Sequence, residues 1–116
     1  LTNSPFEGSG SNKLLLTDVD TGAERLAVTC VNGYGHPSFS PDGKHIVVDV
    51  VNKKTPGAQF LLVDVEADTT ETLLEVNVFD HSHAGTHLHP VWRQDGSQIL
   101  YASDASEICQ LCVIDL

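Results

Sequence analysis

Short apolar runs separated by polar turns recur along the whole chain. The runs are rich in Val, Ile, Leu and Thr, whereas the segments between them, such as SPDG, QDG and EADTTE, carry residues that favour turns. Helical periodicity is absent from the pattern. The chain is therefore predicted to be all-β, with strands near residues 13–19, 24–30, 36–40, 45–51, 58–65, 71–78, 89–93, 98–103 and 109–115. Continuous runs such as HIVVDVV further predict sheets that are covered on both faces.

The chain also repeats itself. HPSFSPDGKHIVVD, which begins at His36, aligns with HPVWRQDGSQILYA, which begins at His89, and an Asp-Gly pair in both copies predicts a tight hairpin turn. A second similarity links KLLLTDV, QFLLVDV and QLCVIDL. Four strands per unit, joined as a meander, are typical of one β-propeller blade, so the chain is predicted to hold about two blades. The predicted units are a partial blade with the third and fourth strands (1–35), a complete blade (36–80), and a histidine-rich loop with the first to third strands of a partial blade (81–116).

The charge of the chain narrows the class of partner. Its 16 acidic side chains against six Lys and Arg give a formal net charge of −10. This excludes the basic surface that nucleic acids require and favours a cation, with a merely solvated acidic surface as the alternative. No apolar run approaches the roughly 20 residues of a transmembrane helix, and LTNSPFEGSGSN lacks the features of a signal peptide. We therefore expect no membrane partner and a cytoplasmic location, or a periplasmic one if a leader has been removed.

Histidines are concentrated in one segment, DHSHAGTHLHP. It holds four of the six histidines: His81, His83, His87 and His89. Because alternate residues of an extended backbone share a face, His87 and His89 can point together, as can His81 and His83. A solvated loop is the alternative for such a segment. His45, between a lysine and an isoleucine, is predicted to be an ordinary surface histidine.

The repeat brings a third histidine into register with this segment. His36 and His89 each precede a proline, and Pro37 and Pro90 predict an extended backbone for both. The inner strands of neighbouring propeller blades lie side by side around a central channel. His36 is therefore predicted to lie close to His89 at the mouth of this channel. Three neutral imidazoles suit Zn, Mn, Fe, Ni or Cu, and a site with three protein ligands leaves a position open for water or substrate. The candidate metal ligands are therefore His36, His87 and His89, with Mn or Zn favoured.

Two resemblances bear on these residues. HPSFSPDGKHIVV resembles the repeat of TolB-like six- and seven-bladed propellers, and that likeness covers nearly the whole chain. THLHPVWRQDGSQILYASD is similar to the last blades of oligogalacturonate lyases, metal-dependent propellers with a manganese site of three histidines and one glutamine. This second likeness implies that His87 and His89 are the paired ligands and that His36 is the ligand from the neighbouring blade. Ala84 stands where that family has its glutamine.

Other motifs are predicted to be structural. The thiols of CQLC, Cys109 and Cys112, would point to opposite faces of a strand, and with Cys30 they are expected to be buried and unpaired. TDVDTG resembles a calcium loop but falls in a hairpin turn. Arg93 is a candidate channel residue that could face an acidic sugar.

Two classes of function follow from these observations. The first is a propeller scaffold or binding module with a histidine-based metal site. The second is a lyase that cleaves acidic oligosaccharides by β-elimination, in which the metal stabilises the developing enediolate; no catalytic residue is identified for it. Because propellers close with four to eight blades, two blades expose apolar faces, and we expect a homo-oligomer, with a trimer as the predicted closed ring.

Overall fold

The computed structural model describes residues 1–5, 10–51, 57–76 and 87–116 of the chain. Within these ranges the regular secondary structure is entirely β. Its strands are β1 (Thr2–Pro5), β2 (Asn12–Thr17), β3 (Glu24–Leu26), β4 (Gly35–Phe39), β5 (His45–Val51), β6 (Ala58–Asp64), β7 (Thr69–Val76), β8 (Val91–Trp92), β9 (Gln98–Ser103) and β10 (Gln110–Asp115). A helix that is long and apolar enough to cross a membrane is not found among the described residues.

The strands form three antiparallel sheets, each a meander of consecutive strands. Their orders are β1-β2-β3, β4-β5-β6-β7 and β8-β9-β10. The central sheet has four strands, the number predicted for one unit. The first sheet corrects the prediction of only a third and a fourth strand in residues 1–35, because β1 pairs with β2 in front of them. The apolar pattern missed β1 because its sequence, TNSP, is short and polar, and its strand character comes from backbone pairing with β2.

The repeated Asp-Gly pairs form the predicted hairpin turns. In the central sheet the Asp42 carboxylate accepts a hydrogen bond from the Ser40 hydroxyl at 2.6 Å, and Gly43 has a φ of 72°. Asp95 and Gly96, with a φ of 76°, take the same places in the third sheet. Hydrogen bonds from nearby hydroxyl and amide groups lower the pKa of both carboxyls, so both are ionised acceptors near neutral pH.

The central sheet is covered on both faces, as its continuous apolar runs predict. Successive side chains of β5 alternate between two cores because a strand has a period of two. One core lies between the first and central sheets and is formed by Leu14, Val28, Val31, Ile46, Val48 and Val63. The other lies between the central and third sheets and is formed by Val47, Ala58, Phe60, Val76, Leu88 and Ile99. Three sheets thus stack face to face.

The three cysteines are unpaired thiols, as predicted. The expectation that all are buried is wrong for Cys109, which is exposed just before β10, whereas Cys30 and Cys112 are half-buried. Burial and the neighbouring Asp68 carboxylate raise the pKa of Cys30 to about 11. Its thiol therefore stays protonated near neutral pH and is a poor metal ligand.

Candidate metal site

Histidines from the central and third sheets meet at one end of the stack. His36 lies in β4, and His87 and His89 lie in the segment that leads into β8. One potential ligand atom from each of the three residues can be chosen so that all lie within 4.8 Å of one another. Nε2 of His36 is 3.4 Å from Nδ1 of His87, and the ring centroids of His36 and His89 are 4.0 Å apart. The predicted proximity is therefore observed, while the role of the three imidazoles as ligands stays a prediction.

The orientation of the His36 ring is set by Asp49 on the adjacent strand. The two residues are directly paired in the β4–β5 register, and Nδ1 of His36 lies 3.0 and 3.1 Å from the two carboxylate oxygens. An ionised carboxylate can only accept, so Nδ1 carries the proton and Nε2 presents a lone pair. This is the carboxylate–histidine arrangement that orients imidazole ligands in metal sites. Nε2, the nitrogen that is not bound to Asp49, is the one that faces His87.

Asp49 also reaches the third sheet. Its carboxylate accepts hydrogen bonds from the backbone amides of His36 and His89, the second at 3.2 Å. Its side chain is only 1% exposed, and among the described residues every buried side-chain nitrogen and oxygen has a hydrogen-bond partner. A single buried carboxylate therefore holds two of the three candidate ligands in place. Sequence reasoning missed this residue, although a lone acid within the apolar run HIVVDVV is a usable signal, since buried charges are almost always paired.

A glycine allows the close approach of these strands. A Cβ atom added to Gly35 would lie 2.2 Å from the carbonyl oxygen of Asp49 and 2.8 Å from a side-chain carbon of Val48. Any larger residue would push β4 away from β5 at the position next to His36. Gly35 thus protects the geometry of the His36–Asp49 pair.

The backbone of His89 differs from the prediction. Pro90 was expected to keep His89 extended like His36, yet His89 has a φ of 43°, and β8 begins only at Val91. The physical reason lies in the preceding residue: Leu88 is 2% exposed within the second core, and its carbonyl accepts a hydrogen bond from the Ala102 amide. This anchor and the bond from the His89 amide to Asp49 hold the left-handed conformation, which is uncommon for a non-glycine residue.

The environment of His89 favours the neutral imidazole. Partial burial lowers the pKa of His89, and so does the neighbouring His36, whereas the Asp49 carboxylate opposes this shift. A lower pKa leaves a larger fraction of the ring unprotonated near neutral pH. Only the unprotonated ring can donate a lone pair to a metal, so the shift favours binding.

Two residues outside the histidine cluster have other partners. Arg93 was a candidate channel residue, but its guanidinium contacts Asp95 and Gln98 of its own hairpin, both at 3.0 Å. Asp18 forms the predicted turn, because its carboxylate accepts hydrogen bonds from the amide and hydroxyl of Thr21. These bonds lower the pKa of Asp18. The TDVDTG segment is accordingly a hairpin turn.

The other three histidines of the chain are His45, His81 and His83. His45 is half-buried in β5 and lies outside the histidine cluster. His81 and His83, together with Ala84 at the place of the lyase glutamine, lie outside the described residues. The group of three, His36, His87 and His89, is therefore the candidate site.

Comparison with solved structures decides the fold. TolB from Acinetobacter baumannii matches 96% of this chain with a TM-score of 0.73 at 18% sequence identity. The β-propeller domain of the Trilobed protease from Pyrococcus furiosus matches 90% of it with a TM-score of 0.62 at 19% identity. This chain has a β-propeller fold. Its three sheets are blades, and the predicted likeness to TolB-like propellers is confirmed at the level of fold.

These neighbours are much longer than the chain. The match covers 26% of the TolB chain and 31% of the protease propeller. A further match, to an acylaminoacyl peptidase from Pyrococcus horikoshii, covers 80% of this chain and 13% of that protein, with a TM-score of 0.53 at 22% identity. No protein-family model matches the sequence. At these identities the likeness shows the fold alone, and the narrower resemblance to oligogalacturonate lyases stays a prediction.

Proposed function

We propose that this propeller segment binds one divalent transition-metal ion through His36, His87 and His89. The observation that carries the proposal is the convergence of three imidazoles from two neighbouring blades, with ligand atoms within 4.8 Å of one another. Donors bound to one ion at about 2.0–2.1 Å lie close to 3 Å apart, so small side-chain rotations bring this cluster to a coordinating geometry. The buried Asp49 carboxylate binds Nδ1 of His36 and so orients the His36 ring.

The donor set indicates which ions fit. Three neutral imidazoles suit zinc, copper, nickel and iron better than calcium or magnesium, which prefer oxygen ligands. Zinc is our first choice and manganese, which the lyase resemblance implies, is the second. Three protein ligands leave at least one position open, where an ion polarises a bound water or an anionic group of a ligand.

A lyase that acts on acidic oligosaccharides is the alternative function. The proposed metal ion favours the lyase function, because an ion with an open position can bind a sugar carboxylate. The net charge of −10 and the pairing of Arg93 within its own hairpin oppose it. Formation of unsaturated uronate by the metal-loaded chain, with loss of that activity in a His87→Ala variant, would establish the lyase; inactivity of the loaded chain leaves the binding module.

Titration of the metal-free chain with zinc and with manganese tests the metal proposal. We expect saturable binding of one ion per chain in calorimetry, with release of protons to the buffer at pH values where the imidazoles are partly protonated. Tighter binding of zinc than of manganese is expected from the imidazole donors. Heat without saturation, or several weak ions per chain, would indicate only the diffuse acidic surface and would refute the site.

We further propose that the chain self-associates through the outer face of the third blade. Val91, Leu100 and Val113 are directly paired across β8, β9 and β10, and they are 55%, 42% and 50% exposed. Leu111 extends the same row along β10 and is 74% exposed. Inside the chain, faces of this kind are covered by the next blade. By continuity a blade of a second copy covers this face, and a closed homo-oligomer is the proposed assembly.

Light scattering with a paired substitution tests this association. The double variant Leu111→Lys, Val113→Lys places two charges on the outer face and should convert an oligomer at micromolar concentration to a monomer. Val19→Lys is the matched control, because Val19 is 95% exposed in the β2–β3 hairpin and should leave the mass unchanged. A monomeric unmodified chain would refute the proposed oligomer.

A further inference from the structure

A tyrosine lies beside the nitrogen that His36 presents to the cluster. The Tyr34 hydroxyl is 3.1 Å from Nε2 of His36, and the two rings are nearly perpendicular, with centroids 5.2 Å apart. Nδ1 of His87 approaches the same nitrogen at 3.4 Å. Since Asp49 occupies the other side of the imidazole, Nε2 of His36 is where the phenol and the second histidine converge.

Both separations match those of neighbouring ligands on one metal ion. Two donors bound at about 2.0–2.1 Å, with an angle between the tetrahedral and octahedral values, lie about 2.9–3.4 Å apart. Without an ion, the phenol of Tyr34 donates its proton to the Nε2 lone pair. An ion takes that lone pair, so the phenol loses its acceptor, and a small shift of its oxygen would bring it within coordinating distance of the same centre.

We propose that the Tyr34 hydroxyl oxygen is a fourth protein ligand of the ion, and this inference rests on the metal site proposed above. On coordination, the O–H bond breaks, its proton passes to solvent, and the oxygen donates a lone pair to the ion, with no change in oxidation state. The centre then has three nitrogen donors and one anionic oxygen. Such a set is harder than three imidazoles alone and suits Fe(III) and Cu(II) as well as zinc.

The side chain of Tyr34 is free to make this adjustment. It is 46% exposed, so its ring borders solvent and has room for a small rotation on that side. The chain has one other tyrosine, Tyr101, which packs edge-on against Phe60 at a centroid distance of 4.8 Å. Phe60 belongs to the core between the central and third blades, so Tyr101 serves as an internal control.

Visible spectroscopy of the Cu(II)-loaded chain tests the inference. A phenolate bound to Cu(II) gives a ligand-to-metal charge-transfer band that imidazole ligands alone do not give in the same region. We expect this band in the unmodified chain and in Tyr101→Phe, and its loss in Tyr34→Phe, which should still bind one Cu(II) per chain. Fe(III) should give the same pattern.

The outcomes separate this inference from the metal site itself. One bound Cu(II) per chain without a charge-transfer band in the unmodified protein would overturn the role of Tyr34 and leave the histidine site intact. A band that persists in Tyr34→Phe would overturn it as well. Failure of the unmodified chain to bind any ion stoichiometrically would remove the histidine site, and the tyrosine ligand with it.

Discussion

Replacing His87 with alanine is expected to weaken metal binding strongly without harming the fold. The His87 ring is exposed, so its removal should change the free energy of unfolding by no more than about 0.5 kcal/mol. Structural zinc sites supply roughly 10–16 kcal/mol through four ligands, or about 2.5–4 kcal/mol for each. Loss of one ligand should therefore weaken zinc binding about 100- to 1000-fold, as measured by competition with a chelator.

His36→Ala and His45→Ala complete this test. His36→Ala should weaken zinc binding to the same degree and should also destabilise the fold, because the buried Asp49 loses a partner. His45→Ala removes a half-buried histidine of β5 outside the cluster and should leave zinc affinity unchanged. Equal zinc affinity in His87→Ala and the unmodified chain would remove His87 from the site, and loss in His45→Ala would show that the effect is not specific.

Changing Asp49 should affect metal binding and stability separately. Asp49→Asn retains the shape of the side chain but removes the charge that fixes the proton on Nδ1 of His36, and changes of this kind typically lower metal affinity about 10- to 100-fold. Asp49→Leu leaves the amides of His36 and His89 without an acceptor, at a cost of about 1–3 kcal/mol each. Chelator competition measures the first effect, and chemical denaturation measures the second.

Asp64 provides a matched control for Asp49. It is a half-buried strand residue whose carboxylate accepts a hydrogen bond from the Ala67 amide in the β6–β7 turn. Asp64→Asn should leave zinc affinity unchanged. If Asp49→Asn binds zinc as tightly as the unmodified chain, the carboxylate only stabilises the fold and does not position His36.

Most of the fold could be predicted from local features of the sequence. Asp-Gly pairs mark the turns because glycine accepts a positive φ, and the run HIVVDVV indicates a strand between two cores because both of its faces are apolar. β1 escaped prediction because a four-residue polar strand has no apolar alternation and depends on pairing with β2. A strand that depends only on pairing with another strand cannot be predicted from the local sequence pattern.

The candidate site was predictable in its imidazoles but not in their supports. The sequence repeat aligns His36 with His89. This alignment was enough to predict that histidines of neighbouring blades lie close together. Asp49 was missed because its role comes from pairing with His36 across two strands. Tyr34 was missed because its role depends on a side-chain contact with His36, two residues further along the chain. The left-handed backbone of His89 could not be foreseen, since it depends on burial of Leu88 in a core formed with another blade.

The central claim is that histidines from two neighbouring blades share one ion, and anomalous diffraction from a zinc-loaded crystal tests it most directly. We predict one strong peak per chain, about 2.0–2.1 Å from Nε2 of His36 and from one ring nitrogen each of His87 and His89. A peak that lies on acidic surface residues instead, or no peak at the three histidines under zinc saturation, would contradict the claim.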